Sequence, residues 1–154
     1  FCSDKSGITS RNGDNQYFAS GTRLAGGNTW TASNASPIMT CPTASDIYNL
    51  NVGLMTSDEV AFAGGGYTLI NQSYYLYNSN ITTPDNWWTI TPGYLGSGGY
   101  LYTFSIGTSN GKLDYNYLNR VYAVRPVISI NADVTVTTAS PTNPGTSSNP
   151  YIIQ

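Results

Sequence analysis

The sequence contains no histidine, and only 9% of its 154 residues are charged. Without histidine the chain cannot form a Ser-His-Asp or Cys-His catalytic site. The six Lys and Arg residues are scattered and the net charge is -2, so we expect no nucleic-acid partner, which would need a basic stripe. No glycine-rich stretch is completed by Lys-Ser or Lys-Thr, as a phosphate-binding loop requires. We therefore expect a protein that is not an enzyme.

Cysteine is scarce, with Cys2 and Cys41 the only two in the chain. Their spacing and the absence of histidine argue against zinc. Two interpretations remain, a redox pair or one structural disulfide, and we favour the disulfide. A disulfide forms in an oxidising compartment, so we expect an extracellular or cell-surface location. Phe1 and the residues after it resemble no targeting segment, which suggests a mature product or a trimmed ectodomain without a membrane-spanning segment.

The length of 154 residues predicts a single domain with a substantial core. Residues 1–45 are polar and turn-rich, and the disulfide would tie this N-terminal part down. Residues 46–154 hold the regular hydrophobic patterns and are expected to form the rest of the domain. No internal repeat is present.

One segment carries a clear helix signal. Thr56 and Glu59 fit a capping box, and the acidic Asp58 and Glu59 suit the positive end of the helix dipole. A short helix is predicted over about residues 57–63, ended by the glycines at 64–66. Glycoside hydrolysis would need two carboxylates, and Asp58, Glu59, Asp85 and Asp114 are the possible sources. No spacing singles out such a pair, so capping is the favoured interpretation of Asp58 and Glu59.

The rest of the sequence has the patterns of short strands and turns. We therefore predict an α+β, mainly β domain. Asn110-Gly111 is a strong hairpin turn, Pro92-Gly93 is expected to stop a strand, and Pro126 implies an edge or a bulge. The predicted strands cover residues 16–19, 38–40, 74–77, 87–91, 100–106, 112–118, 122–130 and 151–153.

Trp87 and Trp88 must point to opposite faces of a strand. We assign Trp87 to the core, which leaves Trp88 as a candidate ligand contact. Arg125, between Val124 and Pro126, is expected to be a half-buried structural hydrogen-bond donor rather than a ligand contact. A calcium site at Asp85 and Asn86 is an alternative to a simple turn there. We expect no other metal or cofactor.

Four motifs resemble a family of bacterial surface domains. Together they look like surface domains of Firmicutes and related gut bacteria, often borne behind a type IV pilin-like N-terminal helix. The motifs at residues 88–92 and 124–128 are also similar to the formylglycine-generating-enzyme type of C-type lectin fold. That fold is the display scaffold of diversity-generating-retroelement variable proteins, including phage tail-tip receptor binders. The motifs lie at residues 52–60 with 63–65, 88–92, 124–128 and 145–153.

The resemblance covers roughly residues 46–154 and implies a C-type-lectin-like domain. Two features of the families are missing. The catalytic cysteines of the formylglycine-generating enzymes have no counterpart near the C-terminus, and the pilin-like hydrophobic helix is absent. Tyr and Asn are typical of recognition surfaces, and the resemblance implies a ligand-binding face that includes Tyr100, Tyr102, Tyr115, Asn116, Tyr117, Asn119, Arg120 and Tyr122.

The first hypothesis is therefore a non-catalytic extracellular recognition or adhesion domain. Its partner would be a protein or glycan on another cell or surface. The alternative is a structural subunit of a pilus-like, type IV pilin-like extracellular filament, whose apolar and Asn-rich surfaces pack against further copies. A phage tail-tip receptor binder is the third interpretation.

Overall fold

The computed structural model describes residues 1–5, 7, 9–11, 15–25, 36–74, 76–77, 86–140, 142 and 149–154. Within these ranges the chain is mainly β with two short α-helices, which confirms the predicted α+β, mainly β class. The helices are α1 (Ala19–Leu24) and α2 (Ser57–Phe62). The strands are β1 (Thr9–Arg11), β2 (Asn15–Tyr17), β3 (Val52–Leu54), β4 (Asn86–Leu95), β5 (Leu101–Gly107), β6 (Leu113–Tyr117), β7 (Pro126–Ile128), β8 (Val136–Thr138) and β9 (Tyr151–Ile153).

One five-stranded antiparallel sheet dominates, in the order β1-β2-β4-β5-β6. Two antiparallel pairs, β3 with β7 and β8 with β9, accompany it. The predicted hairpin at Asn110-Gly111 is confirmed: it joins β5 to β6, and Gly111 has a φ of 69°. Glycine adopts that left-handed conformation without the strain that a side chain would add.

The hydrophobic core lies against one face of this sheet, here called the inner face. Trp87, Phe104 and Ile106 are fully buried there, as predicted for Trp87. Because side chains alternate along a strand, Trp88, Thr103 and Ser105 project from the opposite, outer face. Burying each large apolar side chain contributes about 1.5–3 kcal/mol.

Helix α2 forms where the capping box predicts it. The Thr56 hydroxyl accepts the Glu59 amide at 3.1 Å, and the Glu59 carboxylate accepts the Thr56 amide at 2.7 Å. Gly64, with a φ of 111°, follows the end of the helix, as predicted. The helix rests on β4, where the Ser57 amide donates to the Thr91 hydroxyl at 2.9 Å.

The predicted disulfide between Cys2 and Cys41 is present, with an S–S distance of 1.94 Å. The two cysteines are 39 residues apart in sequence, and a crosslink of that span stabilises a fold by about 4 kcal/mol. Backbone hydrogen bonds hold the same segment, since the Ser3 amide donates to the Asp46 carbonyl at 2.9 Å.

Several strand predictions were wrong in extent. β4 continues through Pro92-Gly93 to Leu95, because register shifts on either side of Pro92 accommodate a residue without an amide hydrogen. Residues 38–40 form no strand, and residues 39 and 40 are bends. Residues 74 and 77 belong to a turn, with the Tyr77 amide donating to the Tyr74 carbonyl at 3.0 Å. Only Pro126–Ile128 of the predicted 122–130 strand is a strand.

The N-terminal part also differs from its prediction. β2 ends at Tyr17, and Ala19 begins α1, a helix that the sequence did not predict. Gly21 explains why it forms, since a Cβ there would lie 2.3 Å from the Gly93 carbonyl oxygen. Close packing against β4, and not intrinsic propensity, therefore stabilises α1. In the described part of the chain, neither helix is long and apolar enough to cross a membrane.

Candidate functional site

The register of the sheet brings four tyrosines into one row, here called the tyrosine ladder: Tyr17, Tyr94, Tyr102 and Tyr117. Each occupies the position opposite the next on neighbouring strands. The ring centroids are 5.0 Å apart for Tyr17–Tyr94, 4.0 Å for Tyr94–Tyr102 and 4.2 Å for Tyr102–Tyr117. Cross-strand aromatic contacts of this kind contribute about 0.5–1.5 kcal/mol each, so the ladder is a rigid feature.

The ladder runs from the interior to the surface. Tyr17 is buried, whereas Tyr94, Tyr102 and Tyr117 are partly exposed. Tyr100 continues the row outward: it is 59% exposed and meets the Tyr117 ring edge-on at 5.6 Å. Because the middle rings stack on one another, a ligand approaching the ladder meets ring edges and hydroxyl groups more than ring faces.

The hydroxyls of Tyr94 and Tyr117 each form a hydrogen bond with Tyr102. A side-chain hydrogen bond with Tyr102 raises the pKa of Tyr117, although the Arg120 guanidinium acts in the opposite direction. Burial, followed by a hydrogen bond with Tyr102, raises the pKa of Tyr94. Tyr94 and Tyr117 therefore remain neutral phenols at physiological pH. The hydroxyl row offers hydrogen-bond donors and acceptors and no charge.

Two further candidate contacts lie in the turn that follows β6. Asn119 and Arg120 are both exposed, and the Arg120 amide donates to the Tyr117 carbonyl at 3.1 Å. With Tyr100 and Tyr117 they form a group here called the rim cluster, at the open end of the ladder. It combines two aromatic rings, an amide and a guanidinium, the residue types enriched in binding surfaces.

Tyr115 is placed differently from the other predicted contacts. Its ring packs 4.4 Å from Phe104 and 5.3 Å from Tyr67, and its hydroxyl donates to the Gly21 carbonyl at 3.0 Å. Gly93 leaves room for this ring, since a Cβ there would lie 2.4 Å from it. Tyr115 thus joins helix α1 to the inner face of the sheet.

The remaining predicted contacts lie on the outer face. Trp88 packs against Tyr122 with centroids 4.5 Å apart. The Tyr122 hydroxyl donates to the Asn116 side chain at 2.8 Å, and the Asn116 amide group donates to the Ser105 hydroxyl at 2.7 Å. The predicted residues are therefore divided: the rim cluster and Tyr102 belong to one end of the inner face, and Trp88, Asn116 and Tyr122 to the outer face.

Arg125 has the structural role that the sequence predicts. Its guanidinium donates to the Leu76 carbonyl and lies 4.7 Å from the centroid of the Trp87 ring. Burial lowers its pKa. The residue fixes the segment after β6 against Leu76 and the start of β4.

An ionic cluster of Asp4, Arg23 and Asp58 lies beside a cavity of about 280 Å³. Arg23 forms two hydrogen bonds with Asp58, at 3.1 and 3.2 Å, and also pairs with Asp4. Burial raises the pKa of both carboxyls, and Arg23 opposes that effect. Asp58 also accepts the Ile38 amide at 2.7 Å, so the cluster joins the N-terminal segment, α1 and α2.

The described residues include no group of three carboxylate or cysteine side chains that could hold a metal ion. Of the two calcium candidates, Asp85 lies outside the described residues, and Asn86 is the first residue of β4. Asp114, another carboxylate considered for catalysis, pairs with Lys112 at 2.7 Å. Asp58 is held by Arg23, and Glu59 caps α2. These contacts give all three carboxylates structural roles.

Sequence reasoning missed the two inner members of the ladder. Tyr94 follows Pro92-Gly93, where the strand was expected to stop, and Tyr17 lies in the turn-rich N-terminal part. The alternation of Tyr94 and Leu95 beyond Pro92 was the available signal that the strand continues to Tyr94. No local signal pairs Tyr17 with Tyr94, since 77 positions of chain separate them and only the sheet order brings them together.

Comparison of the chain with models of protein families, with curated proteins and with solved structures finds no match.

Proposed function

We propose that the protein is a non-catalytic extracellular recognition domain that binds a protein or glycan through the rim cluster. The observation that carries this proposal is the tyrosine ladder, which fixes Tyr117 and Tyr100 at an exposed edge. Ordered aromatic rings lose little conformational freedom on binding, so their contacts contribute more fully to affinity.

The chemistry of the cluster suits a neutral or anionic polar ligand. Arg120 supplies charge-assisted donors, Asn119 supplies an amide, and the ladder hydroxyls supply neutral donors and acceptors. Sugars and polypeptide backbones both present hydroxyl, carbonyl or amide groups that such a surface can bind. The stacked arrangement favours contact with ring edges over flat stacking on a ring face.

The same proposal includes a C-type-lectin-like fold and a cell-surface location. The mainly β architecture and the buried Trp87 beside Arg125 support the C-type-lectin-like fold. The disulfide and the low content of charged residues support the cell-surface location.

The experiment is a glycan array and a panel of immobilised surface proteins, probed with the wild-type domain and three variants. Tyr100→Ala, Tyr117→Ala and Arg120→Ala should each weaken binding to the same ligand by about tenfold or more, as hot-spot truncations do. The free energy of unfolding should change by no more than about 1 kcal/mol for Tyr100→Ala and Arg120→Ala, whose side chains are exposed. Tyr117→Ala loses two ring contacts and should lower it by about 1–3 kcal/mol.

Tyr151→Ala is the matched control, because Tyr151 is a 48% exposed tyrosine on the separate β8–β9 pair. It should leave binding unchanged. A ligand whose affinity is equal for wild type and all three rim variants would refute the proposal. Hydrolysis of an array glycan would replace it with an enzymatic function.

A filament subunit remains the second candidate, favoured by large apolar side chains at the surface. Val121 is 86% exposed and Val124 63%, and β9 is exposed along its whole length. Apolar surface of this kind suits contacts between copies. Sedimentation of the same samples separates the two candidates: a concentration-dependent polymer supports the filament, and a monomer at every concentration removes it.

A further inference from the structure

A second concave surface lies on the outer face of the sheet, and we call it the outer groove. Its volume is about 380 Å³, within the range of small-molecule sites. It extends from β4 and β5 towards β3 and the N-terminal segment. Its apolar lining residues are Leu54, Trp88, Ile90, Pro92, Leu101 and Leu118.

The polar groups of the groove wall are already used by the protein. The Thr89 hydroxyl donates to the Phe104 carbonyl at 2.9 Å, and the Thr103 hydroxyl donates to the Thr91 carbonyl at 2.6 Å. Both hydroxyls are therefore already engaged within the protein. The groove consequently favours an apolar ring or chain.

The largest wall of the groove is held in place before any ligand arrives. Trp88 packs on Tyr122, whose hydroxyl is fixed by Asn116, and Asn116 is fixed by Ser105. The Trp88 amide also donates to the Ala123 carbonyl at 3.0 Å. A wall ordered in this way loses little freedom on binding.

Among the described residues, Lys5 is the only charged one that lines the groove. Its ammonium lies 5.8 Å from the centroid of the Tyr48 ring and forms no ion pair with any residue that the structure describes. The nearby Asp46 carboxylate accepts the Lys5 backbone amide at 3.2 Å and the Thr43 hydroxyl at 2.9 Å. Asp46 is thus engaged by other donors, and the ammonium can receive an anion.

From this juxtaposition we propose that the outer groove binds a small amphipathic anion, an apolar ring or chain that ends in a carboxylate. The apolar part lies against Trp88 and Leu101, and the carboxylate lies against Lys5. The site is separate from the rim cluster, so it is tested independently of the recognition function.

The test compares 4-phenylbutyrate with 4-phenylbutanol, which share the phenyl ring and the alkyl chain and differ in charge. Calorimetric titration of the wild-type protein should show about five- to tenfold tighter binding of the carboxylate, the gain expected for one charge-assisted contact near the surface. Lys5→Ala should abolish this preference, so that the two compounds bind with about equal affinity. Leu118→Gln, at a 51% exposed position, should weaken both compounds.

Lys112→Ala is the matched control, because Lys112 pairs with Asp114 and does not line the groove. It should preserve the carboxylate preference. Melting curves confirm that each variant is folded. Equal affinities of the two compounds for wild type, a preference that survives Lys5→Ala, or no binding of the carboxylate at millimolar concentration would each overturn the proposal.

Discussion

The two ends of the inner sheet face are made by the same three strands, β4, β5 and β6, yet they meet different surroundings. At one end, here called the core end, the inner-face residues are at most 1% exposed. At the other, here called the ladder end, the inner-face tyrosines are partly exposed. The core end consists of Trp87, Phe104, Ile106 and Leu113, and the ladder end of Tyr94, Tyr102 and Tyr117.

What covers each end accounts for the difference. Val60 of α2, Tyr67 and Tyr74 belong to the same buried cluster as the core-end residues. Among the described residues of the ladder, only Tyr17, beside Tyr94, is buried. Alternation along a strand therefore determines which face a residue occupies, whereas burial along that face depends on segments distant in sequence.

The largest expected effect is at the core end. Phe104→Ala should lower the free energy of unfolding by about 3–5 kcal/mol, because Phe104 is fully buried and the deletion leaves a cavity. Urea denaturation followed by circular dichroism measures the loss. A decrease below about 1 kcal/mol would mean that the core end can collapse around the deletion, and the contrast with the ladder would fail.

A second effect, at alkaline pH, concerns Tyr74 at the core end. Burial raises the pKa of Tyr74 from 10.0 to about 12. The folded state therefore keeps a proton that the unfolded chain has lost, and this contribution to stability disappears as the pH rises from about 10 to about 12. The change is up to about 2 kcal/mol.

Tyr74→Phe checks that assignment. At neutral pH the variant should lose about 1 kcal/mol, because the Tyr74 hydroxyl donates to the Gly111 carbonyl at 2.9 Å. Between pH 9 and about 12 its urea midpoint should fall less steeply than that of wild type. Burial also raises the pKa of Tyr67, so some slope should remain. An unchanged slope would show that Tyr74 ionises equally in both states.

Local patterns were enough to predict parts of the fold. The capping box of α2, the Asn110-Gly111 turn, the inward Trp87 and the strand at Tyr151–Ile153 are each determined by a few neighbouring residues. The disulfide followed from there being only two cysteines. Each of these features depends on short-range chemistry that a sequence displays directly.

Other parts depend on tertiary context that no short segment displays. The ability of β4 to pass Pro92 depends on its register shifts, and α1 depends on the approach of Gly21 to Gly93. For the candidate site, Tyr115 and Tyr117 have the same alternation, and the contacts of Tyr115 with Gly21, Phe104 and Tyr67 direct its ring inward. The outer groove, which unites Lys5 with Leu118, is likewise a product of sheet order.

The smallest expected effect is at the outer end of the ladder. Tyr100→Ala should lower the free energy of unfolding by about 0.5 kcal/mol, because Tyr100 is 59% exposed and its one ring contact is edge-on with Tyr117. Thermal melting alongside Phe104→Ala provides the comparison within one sheet face. A loss approaching that of Phe104→Ala would place Tyr100 in the folding core, and a binding role for the rim cluster would lose its basis. A small loss would show that Tyr100 contributes little to stability. That is what we expect of a ring that contacts another molecule.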